Sequence, residues 1–256
     1  MEKEVVGFSF GKNWLDYIDG FNQEKYTEIK QSMVDLFGNL LRGKSFLDIG
    51  CGSGVFSFAA AELGAEHVLS IDVDPDSVLA ANKIKKMYKK TNWNVLQGSI
   101  IDENFLKATG KFDIVYSWGV LHHTGNMWKG IDNAVTLVQE KGLLAIAIYN
   151  KTITSSFWLW FKRFYNRRHS DFTRRLMVMS IYIPRVIVRI IKMKNPWKER
   201  RGMVLYYNAV DWAGGLPYEY ASFEEVSAYL QKKGFKLIKY KRTKMNGCNE
   251  FLFLKQ

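Results

Sequence analysis

An apolar strand that ends in an acid and runs into three alternating glycines, Phe46-Leu47-Asp48-Ile49-Gly50-Cys51-Gly52-Ser53-Gly54, constrains this chain more than any other stretch. Glycine there lets the backbone turn sharply and approach a ligand that a Cβ would push away. Val55-Phe56-Ser57-Phe58-Ala59-Ala60-Ala61 opens a helix directly behind the loop. Strand, glycine loop and helix in that order make a nucleotide-cofactor loop and imply a parallel sheet of alternating strands and helices. The spacing narrows the cofactor. A dinucleotide loop, G-x-G-x-x-G, needs its third glycine where Val55 stands, whereas here it comes one residue early, at Gly54.

A second acid agrees with the first. His67-Val68-Leu69-Ser70-Ile71-Asp72 reads as a buried strand whose terminal carboxylate, 24 residues after Asp48, can accept both ribose hydroxyls. Asp74-Pro75-Asp76 then starts a helix, with Asp74 as N-cap and Pro75 at the first helical position. Asp48-x-Gly50-x-Gly52-x-Gly54 resembles the first motif of class I S-adenosylmethionine (SAM) methyltransferases. That resemblance implies SAM as cofactor and S-adenosylhomocysteine (SAH) as its product. It implies a cofactor site of Asp48, Gly50, Cys51, Gly52 and Gly54, of Asp72 on the ribose with Val73 beside it, of Ser99 and Ile100 after the third strand, and of Ser117, Trp118 and Gly119 after the fourth. One position departs from the pattern. Ser99 stands where many members carry an acid near adenine, which leaves that contact to the backbone, to the Ser99 hydroxyl, or to Asp102 reaching back.

The periodicity predicts an amphipathic helical region over 13–41, strand 45–49, helix 54–63, strand 67–72, helix 75–90, strands 93–98 and 112–117, helix 127–139 and strand 143–149. Ser222-Phe223-Glu224-Glu225 is a capping box opening a helix that Gly234 stops, and strands near 235–242 and 249–255 flank the turn Met245-Asn246-Gly247. The expected fold is α/β: a doubly wound, mostly parallel seven-stranded sheet with an antiparallel terminal strand. A helical N-terminal cap (1–44) precedes the SAM-binding core (45–150), a basic aromatic insertion (151–205) follows, and 206–256 completes the sheet, all in one domain.

Phe112 to Asn126 runs from a strand through Ser117-Trp118-Gly119 into His122 and His123, placing two imidazoles at the open edge where the transferred methyl should lie. Histidine takes up a proton near neutral pH, and methyl transfer to an alcohol or protonated amine leaves one to be removed. Set against the family's Val-Leu-x-His pattern, His123 takes the place of the frequent histidine and His122 the variable one. Both are candidate catalytic residues, and each also reads as a loop-bonding side chain. SAM already carries a good leaving group, so the protein chiefly aligns the acceptor and excludes water. No catalytic triad is needed, and none is found.

The resemblance extends over Phe8-Ser9-Phe10-Gly11-Lys12-Asn13-Trp14, Tyr116 to Gly125 and Asp211 to Glu219, which look like a bacterial branch of the same superfamily whose members are suspected of modifying small molecules or surface glycans. On that basis Phe10 to Trp14 is expected as a lid over SAM, with Trp14, Tyr149, Asn150, Asp211, Tyr218 and Glu219 lining the acceptor pocket. Loop packing explains the same residues as well.

The net charge of +12 sits in one segment: residues 151–201 hold 14 lysines and arginines against Asp171 and Glu199, while the rest of the chain carries 23 basic and 23 acidic residues. The run Leu176 to Ile191 contains Pro184, Arg185 and Arg189 and is too short and too charged for an easy membrane span. It reads as an amphipathic pair of helices over the active site whose basic face attracts an anionic acceptor, such as a phosphate or nucleotide-linked sugar. Peripheral membrane contact through 157–191 is the second reading. Nucleic-acid binding is the third.

Cys51 and Cys248 have no metal-ligand spacing, and no metal is expected. The charged opening Met1-Glu2-Lys3-Glu4 carries no secretory signal, so a cytoplasmic setting is expected, at most peripheral to the inner face of the membrane. Transfer to oxygen or nitrogen of a small-molecule or glycan acceptor is the leading expectation; RNA or protein methylation, transfer to a lipid-linked acceptor and a non-catalytic SAM-binding role are the alternatives. An Asn-Pro-Pro-Tyr signature of amino-nitrogen base methylation is absent, and neither cysteine follows a proline as in cytosine-C5 enzymes.

Overall fold

A computed structural model describes residues 11–19, 21–167, 170–193, 195 and 204–256. Two helices, α1 (Gly11–Asp19) and α2 (Gln23–Phe37), lead into β1 (Ser45–Ile49), α3 (Val55–Glu62), β2 (His67–Asp72), α4 (Pro75–Met87) and β3 (Trp93–Gln97). The short α5 (Glu103–Lys107), β4 (Phe112–Trp118), a 3-10 turn at Leu121–His123, α6 (Met127–Thr136) and β5 (Val138–Tyr149) follow. The insertion supplies α7 (Ser155–Tyr165) and α8 (Asp171–Ile191), and then come α9 (Leu205–Gly214), α10 (Phe223–Gln231), β6 (Phe235–Lys241) and β7 (Cys248–Lys255).

The seven strands form one sheet in the order β3-β2-β1-β4-β5-β7-β6. Strands β1 to β5 pair in parallel, and β7 runs antiparallel to both neighbours. The chain reverses its direction of winding between β1 and β4, so the carboxyl ends of β1, β2 and β4 meet where a doubly wound sheet opens a crevice.

Successive strand residues point to opposite faces, so each strand feeds two cores. Phe46, Tyr116 and Ala145 pack with Ile29, Met33, Phe58 and Ile84 under α1 to α4. Leu47, Val115 and Leu144 pack with Leu106, Ile131 and Leu230 under α5, α6 and α10. The insertion makes a third, smaller cluster with α9, through Tyr165, Val178, Ile181, Ala209, Trp212 and Ala213.

The structure refines three readings. The helical region expected over 13–41 is made of two helices: Asn22 accepts the Lys25 N–H at 3.0 Å and caps the second. Strand β5 begins at Val138 rather than 143, because Lys141-Gly142 is an irregularity inside it. Lys141 takes φ 59°, and a Cβ at Gly142 would come within 2.8 Å of the Gln139 carbonyl, so the glycine is required by a close backbone approach and does not end the strand. Finally, α9 occupies a stretch expected to be loop. The capping box at Ser222 and Glu225 forms as read.

Candidate active site

The glycine loop is pinned to the end of β2. Gly50 and Cys51 donate their N–H groups to the Ile71 carbonyl at 2.8 and 3.2 Å, and Gly52 donates to Asp72 Oδ2 at 2.9 Å. Gly50, Gly52 and Gly54 take φ of 71°, 53° and 74°, the left-handed region that disfavours side chains. Crowding adds to this. A Cβ on Gly52 would lie 2.8 Å from the Trp14 ring, and one on Gly54 would lie 2.7 Å from the Ala81 Cβ and 2.8 Å from Trp93.

Asp72 ends β2 with both oxygens engaged, Oδ1 accepting the Asp74 N–H at 2.9 Å. Burial raises its carboxyl above the usual range, and the N–H groups of Asp74 and Gly52 oppose that rise. Each oxygen keeps a second lone pair, as a ribose diol requires. Val73 beside it is 68% exposed, an apolar platform at the sheet rim suited to a flat base. The cradle therefore fits SAM, with Gly50 to Gly54, Asp72 and Val73 as the residues that would hold it.

Asp48 serves from below. Its carboxylate is buried, and Oδ2 accepts from Ser57 Oγ at 2.5 Å, Ser57 from Ser70 at 2.6 Å and Ser70 from Trp93 Nε1 at 2.7 Å. This chain of hydrogen bonds ties β1, α3, β2 and β3 together beneath the loop. The Cys51 side chain is also buried in the core, where burial and the carboxylates of Asp48 and Asp72 push its thiol well up, and it donates to the Gly52 carbonyl at 3.9 Å.

Over the loop lies α1, the expected lid. Gly11 N–H donates to Asp74 Oδ2 at 3.0 Å, and Trp14 covers Gly52. Phe8, Ser9 and Phe10 lie outside the described residues, as do the side chains of Lys12 and Asn13. Ser99 turns its hydroxyl back on the Ile101 N–H (3.2 Å), and the buried Ile100 gives its carbonyl to Asn133 Nδ2 at 2.7 Å. Asp102 does not reach back: its Oδ1 caps α5 through the N–H groups of Asn104 and Phe105 at 3.0 and 3.1 Å. Ser117 donates to the Ile49 carbonyl at 3.2 Å. Trp118 stacks on Tyr116 with 5.5 Å between centroids and lines a cleft of about 330 Å³ beside α2, so its main chain, with Gly119, is what it leaves at the rim.

The two histidines meet beyond that rim, 4.5 Å between ring centroids. His123 Nδ1 lies 2.6 Å from the Pro217 carbonyl, which can only accept, so Nδ1 carries the proton and Nε2 the lone pair. Burial, with the Lys162 ammonium nearby, lowers its pKa to about 3, against the Pro217 bond that raises it. His123 is thus a neutral base at neutral pH. His122 has the opposite tautomer: its Nδ1 accepts the Tyr149 N–H at 3.2 Å, which puts the proton on Nε2. It is fully buried and held well below the ordinary range, by burial first and then by His123 and Lys162.

Tyr149 at the end of β5 joins this group, 3.8 Å from His122, 5.2 Å from Trp212 and 5.3 Å from Tyr218 between centroids. Asp211, on α9, acts electrostatically on Tyr149 and on Lys162. Two expected acceptor residues are employed elsewhere. Asn150 is bound to the β6–β7 connection, accepting from Asn249 Nδ2 at 3.0 Å and donating to the Thr243 carbonyl at 3.1 Å. The Glu219 carboxylate accepts the Met127 N–H at 3.0 Å and so caps α6, while its own N–H binds the His122 carbonyl at 2.9 Å. Glu219 thereby ties the histidine loop to the start of α6.

Lys162 and Trp158 were absent from the expected site, although a signal existed. Ser155, Trp158, Lys162 and Tyr165 fall three, four and three residues apart, on one face of α7. Counting Lys162 as part of a solvated basic surface concealed it.

A family described as "Methyltransferase domain" matches residues 40–179. A ubiquinone biosynthesis O-methyltransferase from Glaesserella parasuis is 39% identical over 158 residues, which cover 59% of this chain and 65% of that one, just under two thirds of its length. A ribosomal protein L11 methyltransferase from Sodalis glossinidius is 54% identical over 41 residues, 16% of this chain and 14% of that one. Among solved structures, magnesium protoporphyrin IX methyltransferase from Synechocystis PCC 6803 with bound SAH superposes with TM-score 0.58 at 16% identity, covering 97% of this chain and 95% of that one, which speaks to the fold. The chain belongs to the methyltransferase-domain family, and its fold is that of methyltransferases solved with SAM or SAH bound.

Proposed function

We propose that this methyltransferase acts on an oxygen, or alternatively a nitrogen, of a small-molecule or glycan-type acceptor of anionic character. The observation that carries this reading is the His123 tautomer, whose basic Nε2 belongs to a ring in the turn that follows β4. His123 Nε2 would take the acceptor's hydroxyl proton, and SAM held by the glycine loop and Asp72 would supply the methyl group. Gly50 to Gly54 and Asp72 hold the cofactor, Trp14 excludes water from it, and Tyr149 and Tyr218 wall the acceptor side. The relative named for ubiquinone biosynthesis supports oxygen over nitrogen and a small acceptor over a macromolecule. Incubation with methyl-labelled SAM and separated small-molecule, glycan, RNA and protein fractions tests it. Label is expected in the small-molecule or glycan fraction, and label confined to RNA or protein would overturn the reading.

A second feature favours contact with an anionic lipid surface from a cytoplasmic setting. On α8, Phe172, Leu176, Ile183, Ile187 and Ile190 recur at helical spacing and are each half or more exposed, as are Phe157 and Trp160 on α7. Among the described residues no helix is long and apolar enough to cross a membrane. The exposed arginines and lysines along these helices favour lipid headgroups by about 1 kcal/mol each near an anionic surface. They disfavour a second copy of the chain, because a symmetric pair would face one net +12 segment with another. The protein is expected to sediment with phosphatidylglycerol-containing vesicles, to stay in solution with phosphatidylcholine alone, and to lose binding in Ile183→Ser/Ile187→Ser. Equal behaviour with both vesicles, or dimerisation through this face, would refute the contact.

A further inference from the structure

Opposite the histidine pair, α7 directs a lysine into a group of rings. Lys162 has no exposed surface, donates from Nζ to the Trp212 carbonyl, and holds Nζ 4.8 Å from the Trp212 centroid and 4.9 Å from that of Tyr218. The same cluster contains two buried N–H groups without a hydrogen-bond partner, His122 Nε2 and Trp212 Nε1. A buried donor left unpaired is costly, and packing alone does not call for two of them beside an enclosed ammonium. The two ring nitrogens are donors that lack an acceptor oxygen, and the Lys162 ammonium has two N–H groups beyond the one given to the Trp212 carbonyl.

We propose that Lys162, His122 and Trp212 form the subsite that recognises the methyl acceptor, binding an oxyanion of a flat-ringed molecule held among Tyr149, Trp158, Trp212 and Tyr218. This rests on the methyltransferase reading above and deepens it by naming the acceptor's chemistry. The ring faces supply apolar contact and the three donors supply charge and direction, while His123 stands at the edge of the cluster, 5.4 Å from Tyr149 between centroids.

Burial lowers the Lys162 pKa to about 7, with Arg185 acting in the same direction and Asp211 against it. The titratable and charged groups facing it are Asp211, Arg185, His122, His123, Tyr149 and Tyr218. Burial moves the two histidines down and the two tyrosines up, away from neutrality. Arg185, 5.7 Å from the Trp212 centroid, stays charged throughout, so the pH-dependent part of the attraction for an anion is assigned to Lys162 and weakens as the pH rises and the ammonium is lost.

The probes are 4-hydroxybenzoate and its uncharged counterpart 4-hydroxybenzyl alcohol, titrated into the SAH complex of the full chain. Wild type is expected to prefer the carboxylate by about tenfold, the equivalent of one charge-assisted contact. The preference should shrink as the pH is raised through neutrality. Lys162→Met should reduce the preference and abolish its pH dependence with SAH affinity unchanged, and Trp212→Phe, which keeps the ring and removes one donor, should weaken carboxylate binding alone. Equal binding of the two probes by wild type, no binding of either, or an intact preference in Lys162→Met overturns the proposal. Failure of SAH itself to bind would instead refute the methyltransferase reading.

Discussion

His123→Ala is expected to keep wild-type SAM affinity and to lose roughly 10²- to 10⁴-fold in turnover, the usual worth of a positioned general base. The bonds that hold the glycine loop run to Ile71 and Asp72, and those of Asp72 run to Gly52 and Asp74, so the cofactor cradle keeps its bonds. What disappears is the Nε2 lone pair that results when the Pro217 carbonyl accepts the N–H on Nδ1. The pH profile gives a second readout. A base with a lowered pKa stays neutral to lower pH than an ordinary histidine, so the acid limb of wild-type turnover should fall below 6.5, the usual value, rather than at it. Unchanged turnover in the variant, measured with whichever fraction accepts the labelled methyl, would remove His123 from the chemistry. A limb at or above 6.5 would show that the site opens to water around this imidazole before reaction.

Asp72→Ala should weaken SAM by about 1.5–3 kcal/mol, the value of a hydrogen bond to a charged group, or roughly 10- to 150-fold in Kd. Two losses combine here. The ribose loses its acceptor, and the N–H groups of Gly52 and Asp74 lose the oxygens that hold the loop in its left-handed course. Because Asp74 also receives the Gly11 N–H at 3.0 Å, loosening the β2 end loosens α1 as well, and the Trp14 lid with it. Titration calorimetry with SAH reads the effect directly. Wild-type affinity in the variant would contradict the assignment of Asp72 to the ribose.

The cofactor half of the site was legible because its chemistry is local. Asp48, Gly50, Gly52 and Gly54 lie within seven residues, Asp72 ends the next strand, and the demand for small residues, left-handed backbone and a strand-end acid is written in consecutive positions. The acceptor half was legible only in part. Tyr149 and Tyr218 do meet the histidines, but Asn150 and Glu219, equally plausible by position, spend their side chains bracing the β6–β7 connection and α6. A polar residue near a site looks the same in sequence whether it faces a ligand or caps a helix.

The sequence by itself determined the architecture, the helical nature of the insertion and the class of cofactor, because period, glycine spacing and strand-end acids are short-range and each admits few alternatives. Only the tertiary structure showed that Lys162 is enclosed among the described basic residues of the insertion, since its burial depends on α7, α9 and the loop after β4 closing on one another from positions as far apart as 122 and 218. It likewise fixed the proton on each histidine, a matter settled by the Pro217 carbonyl for one and the Tyr149 amide for the other. Contacts of that kind are set by packing between distant segments, and no local pattern encodes them.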